Sequence, residues 1–400
     1  MKPIAISLFA ALLGNAATPS PLVLLNGQQV TDAKTWTKLR RPEILRLFED
    51  NVHGHVPQTR LPIRYETVSV EKNAFGGRAI RKQITVHFSK TADGPKMHML
   101  IYAPAKSKGK VAAFLGLNFD GNHTVHADPG IRLAEVWRRD NQSQIRVTAD
   151  ESTRGSAASQ WQVEKIIKEG FALVTIYRND IEPDFATSFP YSVRALLQPA
   201  ANAADWGAIG AWAWGLSRAL DYLEKEPLID SKKVAVFGHS RLGKAAMWAA
   251  AQDQRFAMAI SNNSGQGGVA LAHRKVGETI EHLNTAFPHW FSGNYKKFTN
   301  HQDDLPVDGH LLIALVAPRP AYVASAQEDN GADPQGEFEA TAAAGEVYEL
   351  FGKQGLAVKE MPLVHDPIMN TLGYHIRAGK HDVTAFDWEQ YLKFATKQLR

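Results

Sequence analysis

The run Val234-Ala235-Val236-Phe237-Gly238 passes directly into His239-Ser240-Arg241-Leu242-Gly243, and the alanine-rich stretch Ala245–Ala251 follows at once. A short continuous apolar run reads as a strand buried on both faces, and the alanine-rich stretch reads as a helix. A buried strand that turns into a helix within so few residues belongs to a sheet whose faces are covered by helices. The rest of the chain fits an α/β class. Ile63–Val70, Ala79–His87 and Met97–Ala103 alternate apolar and polar residues, as antiparallel strands do. Lys110–Leu117, Phe171–Tyr177, Phe256–Ser261 and Ala321–Ala326 read as further core strands, and Pro42–Asn51, Asp205–Glu226, Glu337–Phe351 and Ala385–Lys397 as helices. The expected architecture is a three-layer sandwich with a mostly parallel central sheet and helices on both faces.

Met1-Lys2, an apolar run from Pro3 to Leu13 and the small residues Gly14-Asn15-Ala16-Ala17 have the order of a secretory signal peptide ending near residue 16. That run is too short to span a bilayer. A soluble protein, secreted or periplasmic, is expected, with residues 17–400 as a single catalytic domain. Two long connections, near 120–163 and 265–310, are expected as insertions around a cleft. The net charge of +4 is spread without a Lys/Arg block, so no nucleic-acid partner is expected. Nor is a membrane partner, and a monomer is expected. The absence of cysteine excludes a disulfide scaffold, a cysteine nucleophile and Cys-ligated metal sites.

The strand–turn–helix around Ser240 has the context of a nucleophile elbow, which lifts a serine hydroxyl above the carboxyl end of a sheet. The ordinary alternative is a serine that merely caps the helix. A serine nucleophile needs a base and an orienting acid, and in hydrolases with this elbow they follow in the order acid, then histidine. Asp329, just past the strand Ala321–Ala326, is the candidate acid, with Glu328 its immediate rival. His381, in the loop before the last helix, is the candidate base. His289, His310, His365 and His375 are expected in structural or surface roles. No H-E-x-x-H and no glycine-rich phosphate loop occurs, and the expected chemistry calls for no metal or cofactor.

Gly238-His239-Ser240-Arg241-Leu242-Gly243-Lys244 resembles the G-[CH]-S-R-x-G signature of the glucuronoyl esterases, carbohydrate esterase family 15, and of its bacterial members in particular. Gly116–His123, Ala211-Trp212-Ala213-Trp214-Gly215, Phe287–Phe291, Ala317–Pro320 and Tyr374–Asp382 are also similar to that family, in the same order along the chain. The resemblance implies an α/β-hydrolase fold and a serine esterase. The implied substrates are esters of 4-O-methyl-glucuronic acid in xylan with lignin alcohols. It implies Ser240 as nucleophile, His381 as base and Arg241 as support for the oxyanion. Lys244 and Glu278 would contact the uronate sugar, and Trp290 would wall the cleft. Each has a plain alternative: a salt-bridging arginine, a solvated helix lysine, a helix-surface carboxylate and a core aromatic.

Two positions depart from the family. Asn263 stands where many members carry the catalytic acid as Glu, so the acid is expected from Asp329. Gly331 stands where the family often has a Trp that packs on the sugar. Another carbohydrate esterase, for acetyl-xylan or feruloyl esters, and a catalytically weak carbohydrate-binding relative are the alternative readings.

Overall fold

The computed structural model describes residues 18–91, 94–140, 143–198, 202 and 204–400. The leader expected over residues 1–16 lies outside them. Twelve strands are assigned among the described residues: β1 Arg64–Asn73, β2 Ala79–His87, β3 Lys96–Pro104, β4 Val111–Asn118, β5 Glu135–Asp140, β6 Ser143–Thr148, β7 Ala172–Tyr177, β8 Ile229–His239, β9 Met258–Asn262, β10 Ala321–Ala326, β11 Ile368–Met369 and β12 Leu372–Arg377. Ten form one sheet in the order β1-β2-β3-β7-β4-β8-β9-β10-β12-β11, and β5 and β6 pair as a separate hairpin. The strands from β7 to β12 in that order run parallel. β1, β2 and β3 join antiparallel at one edge.

The parallel strands are apolar on both faces because both faces are covered. Along β8, Val234 and Val236 enter one buried layer, and Ala235 and Phe237 enter the other. The first layer holds Trp212 and Leu216 of the helix Ala208–Leu223, Trp248 of the helix Arg241–Gln252, and Val347 and Tyr348 of the helix Pro334–Leu350. The second holds Ile166 of the helix Val163–Lys168, and Trp388 and Tyr391 of the helix Ala385–Leu399. The alanines of Arg241–Gln252 let that helix lie close to its neighbours, and Leu242 to Ala251 are all buried.

Most expected elements match to within a few residues, and β2 and β10 coincide with Ala79–His87 and Ala321–Ala326. The early helix is Arg41–Phe48, continued by wider turns over Trp36–Arg40 and Glu49–His53. β12 and the β5–β6 hairpin were not expected as strands. The hairpin is largely exposed, Val136 and Trp137 are adjacent in its first strand and its second is only six residues long, so its apolar pattern is weak. The connection between β4 and β7 carries this hairpin, and the connection between β9 and β10 is built from short helical turns. Among the described residues, no helix is long and apolar enough to cross a membrane.

The parallel arrangement decides where chemistry collects. β8, β9, β10 and β12 are neighbours in that order, and their carboxyl ends lead into Ser240, Asn263, Asp329 and His381. Backbone hydrogen bonds carry the register past the strand ends: Ser240 N–H to Asn262 O (2.9 Å), Asn263 N–H to Ala324 O (2.8 Å) and Glu328 N–H to Gly379 O (3.0 Å).

Candidate active site

Ser240 joins β8 to the helix Arg241–Gln252 with φ 57° and ψ −132°, and its side chain makes no helix-capping hydrogen bond. A non-glycine residue held there costs about 1–3 kcal/mol, a strain that persists only where the surroundings impose it. The turn is tight enough to exclude a side chain at Gly238, whose Cβ would lie 1.9 Å from the Leu242 carbonyl oxygen. The serine is therefore presented by the backbone and is not spent on capping. The unpaired amides of the first helical turn lie beside it.

His381 Nδ1–H donates to the Asp329 Oδ2 carboxylate oxygen over 2.5 Å. Its imidazole is 44% exposed, and its ring centre lies 4.5 Å from that of His239, the residue before Ser240. Burial, followed by the neighbouring His381, lowers the His239 pKa to about 4, which keeps that ring neutral. Burial alone would raise the Asp329 pKa. The hydrogen bond and charge of His381, with the Asn263 amide, outweigh it and hold Asp329 below the usual carboxylate range. Asn263 Nδ2 donates to the same Asp329 oxygen over 2.7 Å. The amide at this position thus braces a carboxylate that comes from the next strand.

The loop bearing His381 is held from below. Arg377 donates through Nη1 to Ala378 O (3.0 Å), and through Nη2 to Lys380 O (3.0 Å) and Asp382 O (2.5 Å). Its Nε donates to Asp387 Oδ2 over 2.8 Å. Asp387 also meets His375 and Asn262, and Asn262 meets His239. A buried polar network therefore joins the His381 loop to the end of the serine strand. His375 has the structural role expected of it.

Glu337 lies behind Asn263. It is fully buried and accepts from Ser264 N–H (2.7 Å), Gly265 N–H (3.0 Å) and Ser325 Oγ (2.6 Å). Burial pushes its carboxyl up to about 8 from the ordinary 4.5. Between these pH values the unfolded chain loses the proton that the folded protein keeps, so this group lowers stability as pH rises through that window. Glu337→Gln copies the protonated form. It is expected to flatten the fall in thermal midpoint between pH 5 and pH 8. Melts at both ends of that range check it, and an equal loss at both ends would contradict it.

Arg241 Nη1 donates to Asp184 Oδ2 over 2.6 Å, and its guanidinium lies 4.5 Å from the centre of the Trp290 ring. Trp290 is buried and stacks on Phe287 at 3.8 Å. It backs the Arg241 guanidinium. Lys244 is also buried, at 1% exposure. Its ammonium donates to Ser264 O and lies 3.9 Å from Glu278 Oε2. Burial lowers the Lys244 pKa to about 8 against the pull of Glu278. Glu278 is part exposed, and its N–H binds Gly331 O over 2.9 Å. A Cβ at Gly331 would stand 3.6 Å from Asp329 Oδ1 and 3.9 Å from Glu278 Cγ. The absent side chain opens space between the acid and Glu278.

All seven expected residues thus gather at one end of the sheet. The sequence reading missed Asp184, Arg178 and Arg377. Asp184 follows the end of β7, and the carboxyl ends of parallel strands are where α/β sheets bind ligands. That rule was the available signal.

A family model described as glucuronyl esterase, fungi, matches residues 151–352. A solved glucuronoyl esterase from Solibacter usitatus is 51% identical with a TM-score of 0.93, covering 98% of this chain and 100% of that one. A promiscuous CE15 esterase from a marine bacterial metagenome is 46% identical with a TM-score of 0.90, covering 97% and 98%. The 4-O-methyl-glucuronoyl methylesterase 1 of Wolfiporia cocos is 33% identical over 198 residues, 46% of this chain and 48% of that protein.

Proposed function

This chain belongs to the glucuronoyl esterases of carbohydrate esterase family 15, and on that premise we propose that it cleaves esters of (4-O-methyl-)glucuronic acid in xylan with lignin alcohols through a Ser240–His381–Asp329 triad. The observation that carries this reading is the 2.5 Å His381–Asp329 contact beside the strained turn at Ser240. With Nδ1 engaged by Asp329, Nε2 is the imidazole nitrogen left to accept a proton.

His381 takes the Ser240 proton as Oγ attacks the uronate carbonyl carbon. Charge on the carbonyl oxygen meets first-turn amides and the Arg241 guanidinium. Collapse of the tetrahedral intermediate breaks the bond to the alcohol, which leaves with the proton from His381. A water then gives its proton to His381 and attacks the acyl-enzyme. Ser240 is restored and glucuronate is released. The basic groups of Arg241 and Lys244 suit both the developing oxyanion and the acid product. The substrate is a cell-wall polymer, and the leader expected over residues 1–16 supports export to reach it.

A second reading, a broader carbohydrate esterase, draws on Gly331, which leaves no aromatic side chain between Asp329 and Glu278. One panel tests both. A benzyl ester of glucuronic acid is expected to turn over at least about 100-fold more efficiently than acetyl and feruloyl sugar esters, because polar groups built for the uronate stay unpaired with the others. Equal efficiency would favour the broader esterase, and a reversed preference would overturn the uronate assignment.

A further inference from the structure

The arginine beside the serine is held by a carboxylate to which no role has so far been attached. Asp184 lies in the loop that follows β7 and is 4% exposed. Its Oδ2 accepts from Arg241 Nη1 (2.6 Å) and forms an ion pair with Arg178 Nη2 (3.1 Å). Its Oδ1 accepts from Trp290 Nε1 (2.7 Å) and His289 Nε2 (2.9 Å). An ionised carboxylate offers about four acceptor positions, and here three accept hydrogen bonds while the Arg178 charge pairs with the shared Oδ2.

We propose that Asp184 is a positioning residue that locks the Arg241 guanidinium in its oxyanion-supporting pose before substrate arrives. The inference rests on the reading of Arg241 given above. Buried at 4% exposure and engaged by Arg241, Trp290, His289 and the Arg178 charge, Asp184 is not presented to substrate, so it acts through Arg241. An unrestrained arginine carries about 2 kcal/mol of rotamer entropy, and a donor helps most when it is fixed before charge develops. Arg241 is 27% exposed, and a single bond to Asp184 anchors its far end while Arg241 Nε keeps no partner. Because Nε is buried, the exposed part of the guanidinium is what can face a substrate oxygen.

Charge supplies a second argument. Arg178 and Arg241 share one Asp184 oxygen. The Arg178 guanidinium lies 4.8 Å from the Phe119 ring centre and 5.9 Å from that of Trp212, in the protein interior. Without the carboxylate the two guanidiniums repel, and Arg241, the more exposed of them, would swing to solvent. Burial alone would raise the Asp184 pKa. The His289 hydrogen bond, the charges of Arg178 and Arg241, and the Trp290 hydrogen bond outweigh it and hold Asp184 well below the usual carboxylate range. The clamp is therefore charged wherever the enzyme works. It also ties together three distant segments: the loop past β7, the elbow helix and the 287–290 turn.

A double-mutant cycle tests this on the purified enzyme with a benzyl glucuronate ester. Arg241→Ala is expected to lower kcat about 100-fold, in line with the loss of one oxyanion donor. Asp184→Asn is expected to lower kcat by a similar factor and leave KM within about threefold, because the group it holds acts in the transition state. The double variant is expected to lose little beyond Arg241→Ala alone. If the two losses multiply, Asp184 acts independently of Arg241 and the inference fails while the esterase reading stands. If Arg241→Ala turns over normally, the oxyanion role of Arg241 falls and the inference falls with it. Should Asp184→Asn not fold, Asp184→Glu runs the same cycle, since it keeps the charge but shifts the carboxylate by one methylene. An unchanged kcat in that variant would likewise overturn the inference.

Discussion

Ser240→Ala is expected to lower kcat on a benzyl glucuronate ester by about 10⁴-fold or more, while the protein melts as before. The side chain makes no helix-capping hydrogen bond, so its removal costs the fold no such contact. Alanine meets the same positive φ as serine, so the strain of the turn is unchanged. On the proposed mechanism, what is lost is the Oγ that attacks the uronate carbonyl. The residual rate would come from the oxyanion donors and substrate binding. Rate measurements beside thermal melts check both halves. A variant that keeps a tenth of its turnover would remove Ser240 from the chemistry.

Asp329→Asn is expected to cost about 10³–10⁴-fold in kcat, because an amide neither fixes the imidazole tautomer nor stabilises the imidazolium. Asn263 already places one amide at this carboxylate, and the substitution would leave two amides and no charge beside His381. Glu328→Gln is expected to leave turnover close to the starting value. Glu328 is exposed, and its backbone N–H bonds to Gly379. Kinetics of the two variants side by side separate the neighbours in sequence. Equal small effects would mean that Asp329 is not the acid.

The elbow was legible because its causes are local. Glycine at 238, where a Cβ would strike the Leu242 carbonyl oxygen, and small residues along the following helix act within a few residues of Ser240. β10 was legible because all six of its residues are buried and apolar or small. β12 was not. It is just as buried, but its Tyr374, His375 and Arg377 are polar and satisfied by Pro334 O, Tyr322 and Asp387, partners that local pattern does not reveal. Lys244, Glu278 and Trp290 were picked out by resemblance, and only packing distinguishes a part-exposed carboxylate from a buried ammonium and a buried ring.

By itself the sequence determined the strand, the sharp turn and the helix around Ser240, since backbone sterics and burial periodicity operate over neighbouring residues. It also narrowed the candidate acid to Asp329 or Glu328 and the candidate base to His381. The tertiary structure decided which carboxylate meets the imidazole, because adjacent parallel strands bring Asp329 to His381 across 52 residues of chain. It also decided that Arg241 is clamped by Asp184, a partner 57 residues away. Hydrogen bonds and ion pairs depend on distance in space, and the order of the strands in the sheet sets that distance.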